Sequence, residues 1–164
     1  MAVDHNARSN LRDALVSYMK GDIYTFAFDD RNSVYFETKL TEDRSVREIA
    51  RRLYLIHDDL IDHPISVGSG GWVMLKQVVV FLATDLEIDA TATLATLTQS
   101  WPFRDESEWL ANEHRGSDVR LAEYDPEIHG RWRQPWWNRI PSAVGFAMIL
   151  GSILVMALAF KLTH

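Results

Sequence analysis

Apolar residues first recur at helical spacing near the start of the chain. Residues 1–8 show no periodicity and are predicted to be a loose end. Leu11, Leu15 and Met19 lie four residues apart, as on one face of a helix. The sequence therefore predicts a helix over residues 11–20, capped by Asn10 and ended by Gly21.

A second amphipathic stretch covers residues 45–60. Its first residues, Ser-Val-Arg-Glu at 45–48, have the form of a capping box, in which the serine and glutamate side chains bind amide groups of the first turn. Glu48 and Arg52 are four residues apart and can pair on the exposed side. The apolar stripe consists of Val46, Ile49, Leu53, Ile56 and Leu60. We expect a helix from residue 45 to about residue 60.

Residues 72–86 are apolar on nearly every side, with Lys76 and Gln77 as the main exceptions. Their length favours a buried helix around which the others pack, although the valine-rich residues 78–81 would also suit a strand. The aromatic residues at 101–103 should pack onto the domain. A short helix is predicted over residues 105–114, where Asp105 and two glutamates lie in the first turn and suit the helix dipole.

Residues 22–39 are consistent with two structures. Tyr24, Phe26 and Phe28 alternate as in a strand, and a second alternating run follows at residues 34–38, which together predict a β-hairpin. The alternative is a short helix capped by Asp22, followed by an irregular aromatic stretch. In both cases the aromatic side chains belong to the core.

The most apolar stretch is the last one. Residues 141–160 read PSAVGFAMILGSILVMALAF and contain no charge. At about 1.5 Å per residue, a helix of this length spans about 30 Å, the thickness of a bilayer hydrocarbon core. The alternative, a buried core helix, is usually shorter and keeps a polar side. The pattern predicts a transmembrane helix over residues 140–160, followed by a tail at residues 161–164.

Basic and aromatic residues immediately precede this stretch. Tryptophan favours the headgroup layer, and arginine can bind lipid phosphates there. The alternative is an aromatic loop that packs on the domain. The predicted membrane interface consists of Arg131, Trp132, Arg133, Trp136, Trp137 and Arg139. Three arginines before the span and one lysine after it predict a cytoplasmic N-terminal domain, and hence a tail-anchored, single-pass protein.

Small residues recur on one face of the predicted span. Ala143, Ala147 and Gly151 lie four residues apart. Small residues let two helices approach closely within lipid, which favours a homodimer. Because small residues are common in any spanning helix, the alternative is a chance pattern.

The charge is unevenly distributed along the chain. All 23 acidic residues lie at or before Glu127, and four of the 17 basic residues follow it. With 13 basic against 23 acidic residues, residues 1–128 carry a formal charge of −10. Such a domain is repelled by nucleic acid, so a basic or apolar protein partner is expected. The absence of cysteine excludes disulfides and thiolate metal sites.

These observations give a mainly α-helical fold, with a single hairpin at residues 22–39 as the alternative. Residues 115–130 are mostly polar and are broken by Pro126, which is typical of a tether. We therefore expect a soluble acidic helical domain at 1–114, a polar tether with the basic, tryptophan-rich segment at 115–139, and the transmembrane helix at 140–160.

One cluster of side chains could bind a metal ion. If a helix continues to His63, then Asp59 and His63 share a face, as do Asp58 and Asp62. Together with His57, these imidazole and carboxylate groups suit Zn²⁺, Mn²⁺ or Fe²⁺. The following proline disfavours helical geometry at His63, so the alternative is an exposed, acidic helix end.

Other candidate chemistry is weaker. Glycine-rich residues 68–71 could bind an anion at a helix start, but they lack the spacing of a nucleotide-binding loop, and a turn with Ser69 as helix cap is expected. There is no Gly-x-Ser-x-Gly sequence to supply a nucleophile. The isolated histidines are expected at the surface; they are His5, His114, His129 and His164.

Three functions are consistent with this sequence. The first is a membrane-anchored, non-enzymatic protein whose cytoplasmic domain binds or scaffolds another protein. The second is a divalent-metal-dependent enzyme at the membrane surface that uses the cluster at residues 57–63. The third is a protein that perturbs the membrane through its anchor, and the sizeable acidic domain argues against it.

Overall fold

Helices account for the regular structure of the domain. The computed structural model describes residues 3–37, 40–55, 61–88 and 100–130, all within the unit Met1–Trp132. Within these ranges there is no strand, so the mainly helical fold class is confirmed for them. The helices are α1 (His5–Met19), α2 (Thr25–Glu37), α3 (Arg44–Tyr54), α4 (Ser69–Phe81) and α5 (Glu106–Asn112), and a short 3-10 helix covers Glu113–Gly116.

Helix α1 begins earlier than its leucine spacing predicts. Asp4, rather than Asn10, is the N-cap, and its carboxylate accepts a hydrogen bond from the Ala7 amide at 2.9 Å. Residues 5–8, which were expected to belong to a loose end, thus form the first turn of a helix. At the other end Gly21 has a φ of +77°, which glycine adopts without steric cost, and the predicted stop is confirmed.

Of the two structures considered for residues 22–39, the hairpin is wrong and a helix is confirmed, because residues 25–37 form helix α2. The side chains that are buried in α2 recur at helical rather than strand spacing, and they include Phe28, Asn32 and Tyr35. Phe28 stacks on Tyr18 of α1, with ring centroids 4.8 Å apart. Packing against α1 and α3 therefore outweighs the alternating aromatic pattern. As a result Phe26, which was expected in the core, is 43% exposed.

Helix α3 has the predicted stripe but a different cap. Asp43, rather than Ser45, is the N-cap, and its Oδ1 accepts from the Ser45 amide at 2.9 Å. The Ser45 hydroxyl instead accepts a hydrogen bond from the Ile88 amide at 3.0 Å. The Glu48–Arg52 ion pair is confirmed at 2.8 Å. The stripe residues Val46, Ile49 and Leu53 are fully buried, whereas the predicted continuation over 56–60 lies outside the described residues.

Helix α4 is the buried element onto which α1, α5 and the 3-10 helix pack. It begins at Ser69, after Gly68 as N-cap, so the expected cap at Ser69 is wrong. It ends at Phe81 rather than near Leu86. Beyond that end, the Thr84 hydroxyl donates to the Phe81 carbonyl at 2.7 Å, a side-chain bond of the kind that competes with helix continuation.

The aromatic segment before α5 packs as predicted. Trp101 and Phe103 are buried, and Phe103 lies edge-on to Phe81 of α4 with ring centroids 5.4 Å apart. Asp105 caps α5, and its carboxylate accepts from the Glu108 amide at 2.9 Å. The short helix predicted at this position is confirmed.

A buried ion pair joins three of these elements. The Arg8 guanidinium and the Asp43 carboxylate are almost fully buried, and Arg8 Nε donates to Asp43 Oδ2 at 2.7 Å. Arg8 Nη1 also donates to the Thr84 carbonyl beyond the end of α4, at 2.6 Å. Asp43 in turn accepts from the Asp4 amide at 3.1 Å and from the first turn of α3. The pair therefore fixes the starts of α1 and α3 against the end of α4.

The contribution of this ion pair to stability depends on pH. Burial raises the pKa of Asp43, but hydrogen bonds from Arg8 and from backbone amides outweigh it, so that pKa lies below its usual value. The pKa of Asp4 is also lowered, mainly by hydrogen bonds from the Ala7 amide and the Thr41 hydroxyl. A carboxylate with a lowered pKa in the folded state stabilises the fold above its unfolded pKa, about 4, and loses this contribution as the pH falls through the folded value.

Replacing Arg8 with methionine should lower the free energy of unfolding by about 3–5 kcal/mol, because it leaves the buried Asp43 carboxylate without its partner. Arg8→Lys should lower the free energy of unfolding by less than Arg8→Met. It should still cause a loss, since an ammonium group cannot match the geometry of a guanidinium that binds two partners at once. The measurement is urea unfolding of the full chain in non-ionic detergent over a pH series from neutral downward, in which the difference between the unaltered chain and Arg8→Met should shrink as the pH falls through the folded pKa of Asp43.

The matched control is Arg51→Met, which removes an exposed arginine that pairs with Glu48. It should change the free energy of unfolding by less than about 1 kcal/mol. Equal effects of the two substitutions at neutral pH would contradict the role assigned to the buried pair.

Candidate functional site

The predicted metal cluster lies only partly within the described residues. His57, Asp58 and Asp59 fall outside them, whereas Asp62 and His63 lie in the segment between α3 and α4. In the part of the chain that the structure describes, no group of three or more histidine, aspartate and glutamate side chains could hold a metal ion. Metal binding by the full cluster stays a prediction.

Asp62 and His63 fasten this segment to the start of α2. Asp62 Oδ1 accepts a hydrogen bond from the Phe26 amide at 3.0 Å. The His63 carbonyl accepts from the Thr25 amide at 3.0 Å and from the Thr25 hydroxyl at 2.8 Å. The His63 ring is buried, and its Nδ1 lies 2.6 Å from the Pro64 carbonyl oxygen. Because a carbonyl only accepts, Nδ1 carries the ring proton in this arrangement.

A small cavity of about 50 Å³ adjoins the Arg8–Asp43 pair. Sites for small-molecule ligands usually enclose about 300–1,000 Å³, so this volume suits a few water molecules. The oxygens of Asp43 are occupied by Arg8 and by three backbone amides. We therefore interpret this cavity as space beside the ion pair and not as a ligand site.

The stretch predicted as a polar tether is packed on the domain as far as the description extends. The partly buried residues Val119, Leu121 and Tyr124 contact the hydrophobic core. Trp72 Nε1 of α4 donates to the Ala122 carbonyl at 3.3 Å. Further along, the Val67 amide donates to the His129 carbonyl at 2.8 Å. Residues 122–130 are thus held against the N-terminal end of α4.

A compact turn ends this stretch. The Asp125 carbonyl accepts from the His129 amide at 2.7 Å, and the Asp125 carboxylate accepts from the Glu127 amide at 2.8 Å. The Asp125 amide donates to His129 Nδ1 at 2.9 Å, so Nδ1 carries no proton here. Pro126 supplies the restricted φ that suits the second position of such a turn.

His129, which the sequence places at the surface, is 5% exposed. Its ring stacks on Trp72 with centroids 4.0 Å apart and lies 6.0 Å from the ring of Tyr124. The turn itself could have been found, because Asp-Pro favours a turn. The contact with Trp72 could not, since it joins residues 57 positions apart in the chain.

The chain leaves the described domain beside the rings of Trp72, Tyr124 and His129, of which those of Trp72 and His129 are buried. Gly130 ends the turn, and its carbonyl accepts from the Ser66 hydroxyl at 3.3 Å.

The membrane-related predictions concern residues beyond Gly130. Among the described residues, none of the helices combines the length and the apolar character needed to cross a bilayer. The residues assigned to the membrane interface and to helix pairing lie outside the described ranges: Arg131, Trp132, Arg133, Trp136, Trp137, Arg139, Ala143, Ala147 and Gly151.

Comparisons with known proteins identify no relative of this chain. No protein-family model matches it, and neither the curated proteins nor the solved structures include a significant match.

Replacing Gly130 with alanine should open the turn, because a Cβ atom at this position would clash with the Pro126 carbonyl. We expect a loss of about 1–3 kcal/mol, the usual cost of forcing an extra carbon into a packed site. The Val67 amide, which donates to the His129 carbonyl, should then exchange its hydrogen faster. Hydrogen exchange of the full chain in detergent measures this.

The control is Gly70→Ala, since a Cβ atom at Gly70 meets nothing within 4 Å and the position lies in helix α4. That substitution should be neutral or stabilising by up to about 1 kcal/mol. Unchanged protection of the Val67 amide in Gly130→Ala would show that the turn does not depend on this close approach.

Proposed function

We propose that this chain is a single-pass membrane protein whose residues 141–160 span a bilayer and whose helical domain binds a protein partner at the cytoplasmic surface. One observation carries the proposal: twenty uncharged residues follow a segment with three arginines and three tryptophans. A charged residue at the centre of a span costs about 2.5–3.5 kcal/mol on insertion scales, and this run has none. The flanking residues match the headgroup layer in chemistry.

The chemistry of the domain favours a binding role over catalysis. Its formal charge of −10 over residues 1–128, with 13 basic against 23 acidic residues, disfavours nucleic acid and suits a basic partner. Exposed apolar side chains such as Tyr24, Leu55 and Leu110 could add contact area. Asp62 and His63, the described members of the candidate metal cluster, have structural hydrogen-bond partners.

Pairing through the span is part of the proposal. Ala143, Ala147 and Gly151 would lie on one helical face, where small side chains permit close contact between two copies. A pair would present two acidic domains to the same partner. Two linked sites bind more tightly than either site alone, because the second contact forms at high effective concentration.

Membrane insertion should fail when charge is placed in the middle of the span. We expect the full chain to stay with membranes through an alkaline carbonate wash, whereas Leu150→Arg combined with Leu154→Arg should release it. Met148→Leu, which keeps the run apolar, should behave like the unaltered chain. Release of the unaltered chain, or retention of the double-arginine variant, would contradict a spanning helix.

The binding role predicts a stoichiometric partner that the domain holds by charge and apolar contact. Retention of that partner by the full chain in detergent should fall as salt is raised, because salt screens the attraction between an acidic and a basic surface. As a control, the chain should be compared with a variant in which several exposed glutamates are replaced by glutamine. A chain that retains nothing, or whose retention ignores both salt and charge, would argue against an acidic binding domain.

A further inference from the structure

The turn at residues 125–130, which we call the Asp-Pro turn, closes over Trp72 of α4. The Trp72 side chain is fully buried, and the His129 ring stacks on it with centroids 4.0 Å apart and an angle of 25° between the ring planes. The His129 carbonyl accepts a hydrogen bond from the Val67 amide at 2.8 Å. His129 therefore joins the turn to two other parts of the domain, through its ring and through its backbone.

The His129 ring holds this turn as a neutral imidazole. Its Nδ1 accepts a hydrogen bond from the Asp125 amide at 2.9 Å, so the lone pair of Nδ1 faces the amide hydrogen. A protonated imidazole carries a hydrogen on both ring nitrogens and cannot accept there. Protonation would replace the hydrogen bond with two donors that face each other. The bonding of the closed turn thus requires an uncharged His129.

Two further effects act on a charged ring at this position, and they oppose each other. His129 is 5% exposed, so a charge would lose most of its hydration. The face of Trp72 would attract the charge, as aromatic faces attract cations. Because the neutral ring already has the stacking contact, only the electrostatic part of that attraction is new. We expect the lost hydration and the lost hydrogen bond together to outweigh it.

Charged groups around the ring do not favour the closed turn. Asp62 and His63, before Val67, are bound to the start of α2. Lys76, one helical turn beyond Trp72, would repel a charged ring. The carboxylates of the turn itself would attract it, but they stay beside it when the turn opens. The nearest titratable or charged groups on each surrounding element are Asp62 and His63 before α4, Lys76 in α4, Glu123 and Tyr124 before the turn, and Asp125 and Glu127 within it.

We propose that the Asp-Pro turn is an acid-sensitive switch, in which neutral His129 holds the turn over Trp72 and protonated His129 releases it. The open turn binds a proton that the closed turn excludes, so the closed form loses stability as the pH falls. An exposed histidine gains this proton at about pH 6.5, which places the release in mildly acidic solution. Release uncovers the Trp72 ring at the N-terminal end of α4. The proposal concerns residues 66–130 and is independent of whether residues 141–160 span a bilayer.

Hydrogen exchange of the full chain in non-ionic detergent, followed residue by residue by NMR, tests the switch. Protection of the Val67 amide, corrected for the intrinsic effect of pH on exchange, should fall roughly tenfold or more between about pH 7.5 and about pH 5. The proton shifts of the His129 ring should change over the same pH range. The Thr25 amide, which donates to the carbonyl of the buried His63, should keep its protection, which would show that His63 is not the cause.

His129→Phe keeps an aromatic ring for Trp72 but cannot be protonated, so Val67 protection in this variant should not depend on pH over this range. His114→Phe, which replaces an exposed histidine elsewhere, should respond like the unaltered chain. If phenylalanine does not close the turn at any pH, the decisive result is whether the His129 ring titrates together with the loss of Val67 protection in the unaltered chain. Val67 protection that stays constant or rises in acid would overturn the switch, as would a fall that His129→Phe or the Thr25 amide shares.

Discussion

The buried ion pair between Arg8 and Asp43 is the interaction on which the rest of the domain depends. Removing two charges from water is costly, and the cost is offset only when every donor and acceptor finds a partner. Here the partners come from the start of α1, the first turn of α3 and the Thr84 carbonyl beyond α4. Displacing any of these segments would leave a buried charge incompletely paired, so the pair favours one arrangement of the three helices over other compact packings.

The apolar core and the exit turn follow from that arrangement. Helix α4, apolar on most sides, is covered by α1 and α5, and its C-terminal end meets the ion pair through Thr84. Its N-terminal end carries Trp72, which receives the His129 ring and the last described stretch of the chain. The C-terminal end of α4 thus meets the charged groups of the ion pair. Its N-terminal end meets the aromatic rings beside which the chain leaves the domain.

The sequence and the structure differ most where local pattern competes with long-range packing. The stripe of α3 was predictable because Val46, Ile49 and Leu53 share a face at helical spacing, and α3 buries that face. Aromatic alternation at residues 24–28 left a strand and a helix open, and in the helix that forms Phe28 stacks on Tyr18 of α1. The cap of α3 was also misplaced: Asp43 binds the Ser45 and Val46 amides, and it also binds Arg8 and Asp4, which lie more than thirty positions away in the chain.

The sequence by itself determined the helical class of the domain, its acidic character, and an uncharged run long enough to cross a bilayer. Those properties depend on composition and on spacings of a few residues, which the chain displays directly. Only the tertiary structure decided that Arg8 is buried, that His129 lies against Trp72, and that Asp62 and His63 fasten a segment to α2. Such contacts join residues far apart in the chain, and a polar side chain in a sequence does not reveal whether water or a distant partner will satisfy it.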